Sequence, residues 1–488
     1  MSVPDLSKLD GLVEEAMAHW DVPGLALAVM QNNDIIKLKA YGTRDMGSGL
    51  PVTLDTQFMI CSLTKSFTAA GLGLLVDEQK LDWHTRIRDV LPDFELQDPL
   101  ASEQLTVHDV LTHQSGLPRH DRIWSLPGAR SRADMLEAMR YLQPNKALRE
   151  VWQYNNLGYL VAGAVAERVS GQSWEAFTTD RLLSPLGFTN FGFSLSELEA
   201  SNDHAHPHPI EAGHAYRGKQ WPIQTTPAGG INASIVDMAK WLGFLLSKGR
   251  VNGVQLLSQD VVEQMMASHV FEGDSGFSEI GACHYGLGLG CGQYRGDRTV
   301  SHTGSTLGWG TMMSMLPDHG IGVAILTNCD PSNVRQLLSY TIFDQLRSRE
   351  PLDWPDRFRA ERVKALEAEE TERRKREAFD AQRSEPNLPL AHYAGKYAHP
   401  AYGELVVSAE SEGLRWCWGG LAGTLLCRDG ETFDLKQDGE ERLGRFFPTL
   451  QFTFKRNAEG VIDRATAPLE PAVDDICFQR RSDNGLPA

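Results

Sequence analysis

A serine and a lysine lie three residues apart in residues 60–67, which read ICSLTKSF. A serine hydroxyl is a weak nucleophile at neutral pH and needs a base within hydrogen-bond reach. One helical turn places the Lys65 amine on the same face as Ser62. The apolar residues 67–76 predict a buried helix, and burial lowers the pKa of a lysine towards the range in which its amine accepts a proton. Ser62 is therefore the candidate nucleophile and Lys65 its candidate base, although a helix-capping serine before a surface lysine has the same spacing.

A second motif, QYNN at residues 153–156, stands before an apolar stretch that predicts a helix. From such a junction Tyr154 can enter a cleft beside Ser62 and Lys65. Its phenolate is a competent general base if a lysine cation lowers its pKa. Taken alone, a tyrosine in this position usually makes a structural hydrogen bond.

A third motif, HTGS at residues 302–305, lies on a predicted strand. Glycine at position 304 lets a substrate backbone approach the strand. The Ser305 amide could donate to an oxyanion together with the Ser62 amide. A His-Thr-Gly tripeptide is uninformative by itself, so the interpretation depends on the three motifs together.

In this order, Ser62-x-x-Lys65, Tyr154-x-Asn156 and His302-Thr303-Gly304 resemble the three signatures of the penicillin-recognising serine hydrolases. The tyrosine is similar to that of the class C β-lactamase and D-alanyl-D-alanine carboxypeptidase branch. Residues 107–117 and 227–231 resemble two further stretches of that family, and the resemblance covers about residues 8–347. It implies catalytic roles for Ser62, Lys65 and Tyr154, and an oxyanion or substrate site formed by Ser62, Ser305, Asn156, His302, Thr303 and Gly304.

His302 departs from the Lys-Thr-Gly that the β-lactamases and carboxypeptidases usually carry. The His-Thr-Gly form resembles the esterase, D-aminopeptidase and related peptidase members of the family. A free histidine has a pKa of about 6.5, whereas a lysine stays cationic. We therefore expect His302 to line the cleft, to change its charge near neutrality, and to favour neutral esters or amides over substrates with a free carboxylate.

Composition and charge restrict the classes of partner. The chain has 488 residues and a formal charge of −17, which argues against a nucleic-acid binder and against an anionic membrane surface. No stretch approaches 18 uninterrupted apolar residues, and the first residues lack the basic and apolar regions of a signal peptide. These features predict a soluble cytoplasmic protein whose partner is a small molecule or a short peptide, in a chain that is a possible homo-oligomer.

No cofactor or metal is expected. The seven cysteines form no Cys-x-x-Cys pair, which indicates reduced thiols, and Cys61 is expected to pack rather than to react. A histidine-rich stretch invites a metal hypothesis, but its prolines indicate an extended loop without ligand spacing, so we expect it to rim the active site. The residues of this stretch are Asp203, His204, His206, His208 and His214.

The periodicity predicts an α/β (α+β) fold. Strands at 24–31 and 35–41 near one end, and at 299–303, 310–316 and 321–327 near the other, predict an antiparallel sheet built from both ends of a catalytic domain, with a helical subdomain inserted between them. We expect domains at 1–350 (catalytic), 351–385 (a charged, solvated helical linker) and 386–488 (an all-β barrel). The last resembles the lipocalin-like domain appended to some peptidase members of the family.

The sequence therefore predicts a serine hydrolase that cleaves a small peptide or amide through a Ser62 acyl-enzyme. A carboxylesterase of the same family is the first alternative. A weak β-lactamase, an acyltransferase and a non-catalytic scaffold remain further alternatives, because the same residues would serve each of them.

Overall fold

The computed structural model describes residues 8–481 except 127, 129, 221, 223–224, 381–382, 412 and 439–449. Among the helices in these ranges, none combines the length and the hydrophobicity needed to cross a bilayer.

Sixteen strands precede residue 331 in the described ranges. They are β1 (Gly24–Gln31), β2 (Asp34–Gly42), β3 (Phe58–Met59), β4 (Phe191–Gly192), β5 (His208–Glu211), β6 (His214–Ala215), β7 (Asn232–Ala233), β8 (Arg250–Val251), β9 (Val254–Gln255), β10 (Val270–Asp274), β11 (Ala282–Tyr285), β12 (Gly290–Tyr294), β13 (Asp297–Thr306), β14 (Trp309–Leu316), β15 (Ile321–Thr327) and β16 (Cys329–Asp330).

Eight of these strands form the central antiparallel sheet, in the order β10-β11-β12-β13-β14-β15-β1-β2. The pairing of β1 with β15 joins the two ends of the sheet-forming region, as the sequence predicted. Strands β10 to β12 were not predicted, because each has only four or five residues. Strand β1 is buried on both faces, which explains its unbroken apolar run.

The helices in the described ranges cover both faces of this sheet and fill the insertion. They are α1 (Leu9–Trp20), α2 (Thr64–Asp77), α3 (Ile87–Val90), α4 (Pro99–Gln104), α5 (Val107–Leu111), α6 (Arg122–Ser125), α7 (Arg132–Ala138), α8 (Asn156–Ser170), α9 (Trp174–Thr178), α10 (Leu195–Ala200), α11 (Thr226–Gly229), α12 (Ile235–Leu246), α13 (Gln259–Met265), α14 (Val334–Leu346) and α15 (Trp354–Asp380).

Helix α2 lies at the centre of the larger of two hydrophobic cores. Every residue from Thr64 to Leu75 is buried, which agrees with the predicted buried helix. The stacking of Phe67 on Trp241 of α12, with ring centroids 3.9 Å apart, fixes one side of the helix against the layer that covers the sheet.

Helix α15 is less solvated than its charge predicted. Its first turns bury Trp354 and Phe358 in the second hydrophobic core. The indole nitrogen of Trp354 also donates a 2.8 Å hydrogen bond to the hydroxyl of Tyr294. Later in the helix, ion pairs such as Arg374–Glu370 are exposed and contribute little to stability. The start of α15 is therefore anchored, and only its later turns are the solvated spacer.

Eight further strands close the predicted barrel. They are β17 (Gly395–His399), β18 (Gly403–Glu410), β19 (Gly413–Trp418), β20 (Leu421–Asp429), β21 (Thr432–Gln437), β22 (Gln451–Arg456), β23 (Ile462–Ala467) and β24 (Ile476–Arg481). Apolar residues alternate along β19, where Leu414, Trp416 and Trp418 are buried and Cys417 is exposed. Of the predicted strand at 446–454, residues 446–449 lie outside the described residues.

Among the described residues, His120 and Gly128 connect the barrel to the rest of the chain. The hydroxyl of Tyr402 donates a 2.7 Å hydrogen bond to Nδ1 of His120, whose Nε2 donates to the Gln143 carbonyl at 2.9 Å. The His120 amide donates to Glu470 at 2.7 Å, and the Gly128 amide donates to the Gly419 carbonyl at 2.8 Å. These buried polar contacts fix the barrel in one position because each would be costly to leave unpaired.

We expect Tyr402→Phe to lower the free energy of unfolding by about 1–3 kcal/mol, because it leaves the buried Nδ1 of His120 without a donor. Denaturant unfolding of the full chain measures this change. Tyr141→Phe is the matched control, since that ring is 43% exposed. Equal losses in the two variants would mean that the contact with His120 does not stabilise the chain.

Candidate active site

Ser62 lies in a tight turn, residues Cys61–Leu63, that leads directly into α2. Cys61 adopts a left-handed backbone conformation with φ of 51°, which is strained for a residue other than glycine. The carbonyl of Ile60 is held by the hydroxyl of Thr311 at 2.8 Å. A strained residue beside a fixed carbonyl holds the Ser62 hydroxyl at the start of the helix.

Gly304 is needed for the close approach of β13 to this turn, and not only for the approach of a substrate. A Cβ atom at this position would lie 2.3 Å from the Ile60 carbonyl oxygen and 2.2 Å from Oγ1 of Thr311. Strand β13 can therefore approach the turn only with glycine here. The sequence analysis assigned this glycine to the approach of a substrate backbone, and the structure gives it a closer neighbour.

Lys65 is fully buried one turn after Ser62. Its Nζ is 2.8 Å from Oδ1 of Asn156, 2.8 Å from the carbonyl oxygen of Ala228 and 3.2 Å from Oγ of Ser62. Asn156 and Ala228 come from α8 and α11, which pack against α2. A neutral amine has two N–H groups and one lone pair. The two carbonyl-type acceptors satisfy the N–H groups, so the lone pair faces the Ser62 hydroxyl.

The electrostatic environment favours this neutral amine. Burial holds the pKa of Lys65 well below its usual value, and the nearby charge of Arg119 lowers it further. The prediction of a lysine base activated by desolvation is therefore consistent with the surroundings of Lys65.

Tyr154 packs beside this pair, with its ring centroid 4.8 Å from Nζ of Lys65. Asn155 fixes its backbone by capping α8: its side chain accepts from the Gly158 amide at 3.1 Å and donates to the Pro118 carbonyl at 2.5 Å. Burial raises the pKa of Tyr154, although a hydrogen bond with Ser62 opposes the shift. The shift runs opposite to the one that a tyrosinate base requires, so Tyr154 is a neutral phenol in the free protein.

His302 is buried, and both of its ring nitrogens are occupied. Nδ1 donates to the Thr303 carbonyl at 2.7 Å, and Nε2 accepts from the hydroxyl of Tyr285 at 2.8 Å. Burial lowers the pKa of His302 to about 3. The expectation that His302 changes its charge near neutrality is therefore wrong, because the imidazole is desolvated and held neutral by its partners.

The predicted site residues converge on one cavity of about 790 Å³. The cavity is lined by Ser62, Tyr154, Asn156, His302, Thr303 and Ser305. Lys65 lies behind Ser62, and Gly304 lies under the turn. The barrel closes one end, because Leu469, Glu470 and Pro471 belong to the lining.

Several lining residues were missed by the sequence analysis. Arg119 and Trp152 enter the cavity from the loops that flank the predicted motifs, and Tyr285 enters from β11. Arg119 follows a stretch that the sequence analysis had singled out, which was the available signal. No local signal identified Tyr285, because its partner His302 lies on another strand.

The histidine-rich stretch does not rim the active site. In the described ranges, none of its members lines the cavity, and no group of three His, Cys, Asp or Glu side chains is arranged to hold a metal ion. Asp203 instead forms an ion pair with Arg44, and Nδ1 of His208 lies 3.0 Å from the Asn328 carbonyl. The stretch therefore has structural contacts, with Arg44 and Asn328, that lie outside the cavity lining.

Cys61 is buried and packs as expected. Burial raises the pKa of its thiol, which disfavours the nucleophilic thiolate. The thiol of Cys61 is therefore a poor nucleophile in this environment.

Comparisons with known proteins identify the family of this chain. Residues 9–347 match the family model described as Beta-lactamase, and residues 380–480 match a model described as a domain of unknown function, DUF3471. The fold and the site together define a hydrolase of the β-lactamase and penicillin-binding-protein class. Since the first match covers more than half of the chain, the chain belongs to the β-lactamase family.

The chain is 27% identical over 440 residues to the unguisins hydrolase ungD' of Aspergillus campestris, a match that covers 82% of this chain and 77% of that protein. It is 26% identical over 333 residues to penicillin-binding protein 4 of Amycolatopsis lactamdurans, covering 64% and 85%. The structure of the octameric penicillin-binding protein homologue from Pyrococcus abyssi aligns with a TM-score of 0.64 at 21% identity, over 97% of this chain and 100% of that one. At this identity the structural likeness concerns the fold alone.

We expect the pH dependence of the reaction to be independent of His302. Protonation of Lys65 removes the lone pair that faces Ser62, so activity falls as the pH falls through the pKa of Lys65, whereas His302 stays neutral above its pKa of about 3. The measurement is kcat/KM for an uncharged ester from about pH 4 to pH 9. His302→Gln should keep the midpoint of the acid limb while lowering the rate.

His214→Gln is the control for this profile, because that side chain is 87% exposed. An acid limb that disappears in His302→Gln and persists in the control would show that the titrating group is the imidazole of His302.

Proposed function

We propose that this protein is a serine hydrolase that cleaves a small peptide or amide through an acyl-enzyme on Ser62. The observation that carries the proposal is the arrangement around Lys65, whose Nζ lies 2.8 Å from acceptors on Asn156 and Ala228 and 3.2 Å from Oγ of Ser62. A neutral amine that donates to the first two acceptors directs its lone pair at the Ser62 hydroxyl. A structural lysine would gain from three acceptors as a cation, yet here burial favours the neutral base.

In the first step, Oγ of Ser62 attacks the substrate carbonyl carbon, and Lys65 takes the hydroxyl proton. The backbone amides of Ser62 and Ser305 donate to the oxyanion that forms. Tyr154, a neutral phenol in the free protein, protonates the leaving nitrogen or oxygen as the bond to the carbonyl carbon breaks, and the proton held by Lys65 restores the phenol. Water then attacks the acyl-enzyme, and the same groups transfer its proton back to Ser62.

Asn156 has a positioning role in this scheme, since its Oδ1 accepts from Lys65. Thr303 and Gly304 belong to the strand beside which the substrate binds, and His302 forms an uncharged wall of the site. The relative named as an unguisins hydrolase supports hydrolysis as the general activity.

The alternatives differ in their substrates rather than in their nucleophile. A panel of p-nitrophenyl esters, D- and L-aminoacyl anilides and a chromogenic cephalosporin distinguishes a peptidase or amidase from a carboxylesterase and a weak β-lactamase. Product analysis with competing alcohols and amines identifies an acyltransferase.

We also propose that residues 1–350 form the catalytic domain and that residues 351–385 link it to the C-terminal domain. The lipocalin-like barrel of residues 386–488 would enclose the cavity without supplying the nucleophile or the base. Its three lining residues, at 469–471, support the enclosing role. A homo-oligomeric state is proposed by analogy with the octameric homologue.

We expect Ser62→Ala to abolish covalent labelling by an uncharged fluorophosphonate probe, because the hydroxyl oxygen forms the bond to phosphorus. Mass spectrometry of the labelled peptide measures this outcome. Cys61→Ala is the matched control and should keep labelling, since the buried thiol is protonated. Labelling that survives in Ser62→Ala and is lost in Cys61→Ala would move the nucleophile to the thiol.

We expect Lys65→Ala and Tyr154→Phe each to lower kcat by about 10²–10⁴-fold, which is typical for groups that transfer protons. Steady-state kinetics on one aminoacyl anilide measures both. Circular dichroism verifies that each variant is folded. A near-normal kcat in a folded variant would remove that residue from proton transfer.

A further inference from the structure

Arg119 lines the cavity and lies over the ring of Tyr154, the same ring that packs beside Lys65. The guanidinium carbon of Arg119 is 5.1 Å from the centroid of the Tyr154 ring, and the Arg119 side chain is 49% exposed. Because Arg119 belongs to the cavity lining, this exposed part faces the space in which a substrate would bind. A guanidinium stays charged at all physiological pH values.

One edge of this guanidinium is already held. Nε of Arg119 donates to Oδ2 of Asp121 at 2.6 Å, and the other oxygen of Asp121 accepts from the indole nitrogen of Trp124 at 2.9 Å. Within the described residues, Nη1 and Nη2 of Arg119 have no hydrogen-bond partner. The outer fork is therefore open, and two parallel N–H groups of this kind match a carboxylate in bidentate geometry.

The backbone on both sides of Arg119 is fixed as well. The preceding residue, Pro118, accepts a 2.5 Å hydrogen bond from Nδ2 of Asn155, next to Tyr154. The following residue, His120, is bound by Tyr402 and Glu470 of the barrel. The guanidinium is thus positioned relative to Tyr154 before any ligand binds, which reduces the entropy lost on binding.

The other charged groups around the cavity differ from Arg119 in their surroundings. A second arginine of the lining, Arg122, also lines a smaller pocket against the barrel with Tyr402 and Glu404. His302 is neutral, and Lys65 is buried behind Ser62 with its pKa lowered. The two carboxylate oxygens of Glu470 accept from the amides of His120 and Ala472, at 2.7 and 3.2 Å, so this side chain is committed to the barrel contact. Glu272 lies on β10, on the part of the lining formed by the sheet.

We propose that Arg119 anchors a carboxylate of the substrate, on the portion that binds beside Tyr154. This inference rests on the proposed function and names its substrate class: an amide or ester that carries a carboxylate close to the scissile bond. The sequence analysis expected a preference for uncharged substrates because β13 carries His302 instead of a lysine. The proposal replaces that expectation, since Arg119, in the loop before α6, provides a cation at another place in the site.

The test compares two substrates that differ in charge at the leaving group, an aminoacyl anilide whose aniline ring carries a free carboxylate and the same anilide with that group as a primary amide, as the ratio of their kcat/KM values. The wild-type protein should prefer the free carboxylate. Arg119→Gln should lower this ratio by about 10–100-fold, mainly through KM, because a charge-assisted bidentate contact is lost. Arg119→Lys should retain part of the preference, since it keeps the charge without the fork.

Arg88→Gln is the matched control. Arg88 forms an ion pair with Glu103 and does not belong to the cavity lining, so its variant should keep the wild-type ratio. A ratio that is unchanged in Arg119→Gln, or that changes equally in Arg88→Gln, would overturn the proposal. A change in kcat that is equal for both substrates would assign Arg119 to the tuning of Tyr154 and Lys65 instead, and would also overturn it.

The uncharged fluorophosphonate probe separates this inference from the proposed function. Labelling of Ser62 in Arg119→Gln, combined with an unchanged substrate ratio, rejects only the anchor. Absence of labelling in the wild-type protein rejects the serine hydrolase and the anchor together.

Discussion

The structure depends on the burial of one amine. Lys65 lies inside the larger hydrophobic core, where a charged ammonium would be costly, and its environment lowers its pKa accordingly. Two carbonyl-type oxygens from two different helices, those of Asn156 and Ala228, satisfy the neutral form. The insertion must therefore fold onto α2 before the amine has its partners. The same contacts leave the lone pair of the neutral amine directed at Ser62. The packing of the core and the proposed proton transfer therefore require the same geometry.

The other ionisable groups of the site surround Lys65 and Ser62. Tyr285 and the Thr303 carbonyl hold His302 without charge, and burial keeps Tyr154 protonated. Behind β13, the buried guanidinium of Arg335 donates to the Gly304 carbonyl at 2.7 Å and forms an ion pair with Asp330 at 3.0 Å. Such a pair contributes more to the position of the strand than to stability, because desolvation offsets much of the Coulombic attraction.

The barrel affects the site through a loop rather than through a catalytic group. Glu470 binds the backbone of His120, a residue 350 positions away in the sequence, and His120 adjoins Arg119. A small change in the barrel loop at 469–471 would therefore alter both the wall of the cavity and the position of a cation beside Tyr154. Under the proposed mechanism, this coupling would give the C-terminal part of the chain an influence on substrate selection, although Ser62 and Lys65 lie in the other part.

The sequence by itself determined the spacing of Ser62 and Lys65, the three motifs and the main periodic elements, among them β1 and β15, whose predicted and observed bounds coincide. These features are local, since they follow from helical and strand periodicity within a few residues. Only the tertiary structure decided the protonation of Lys65, Tyr154 and His302, because a pKa depends on burial and on neighbours from distant segments. It also decided the position of Arg119, which is set by contacts with Asn155 and with the barrel that no local pattern records.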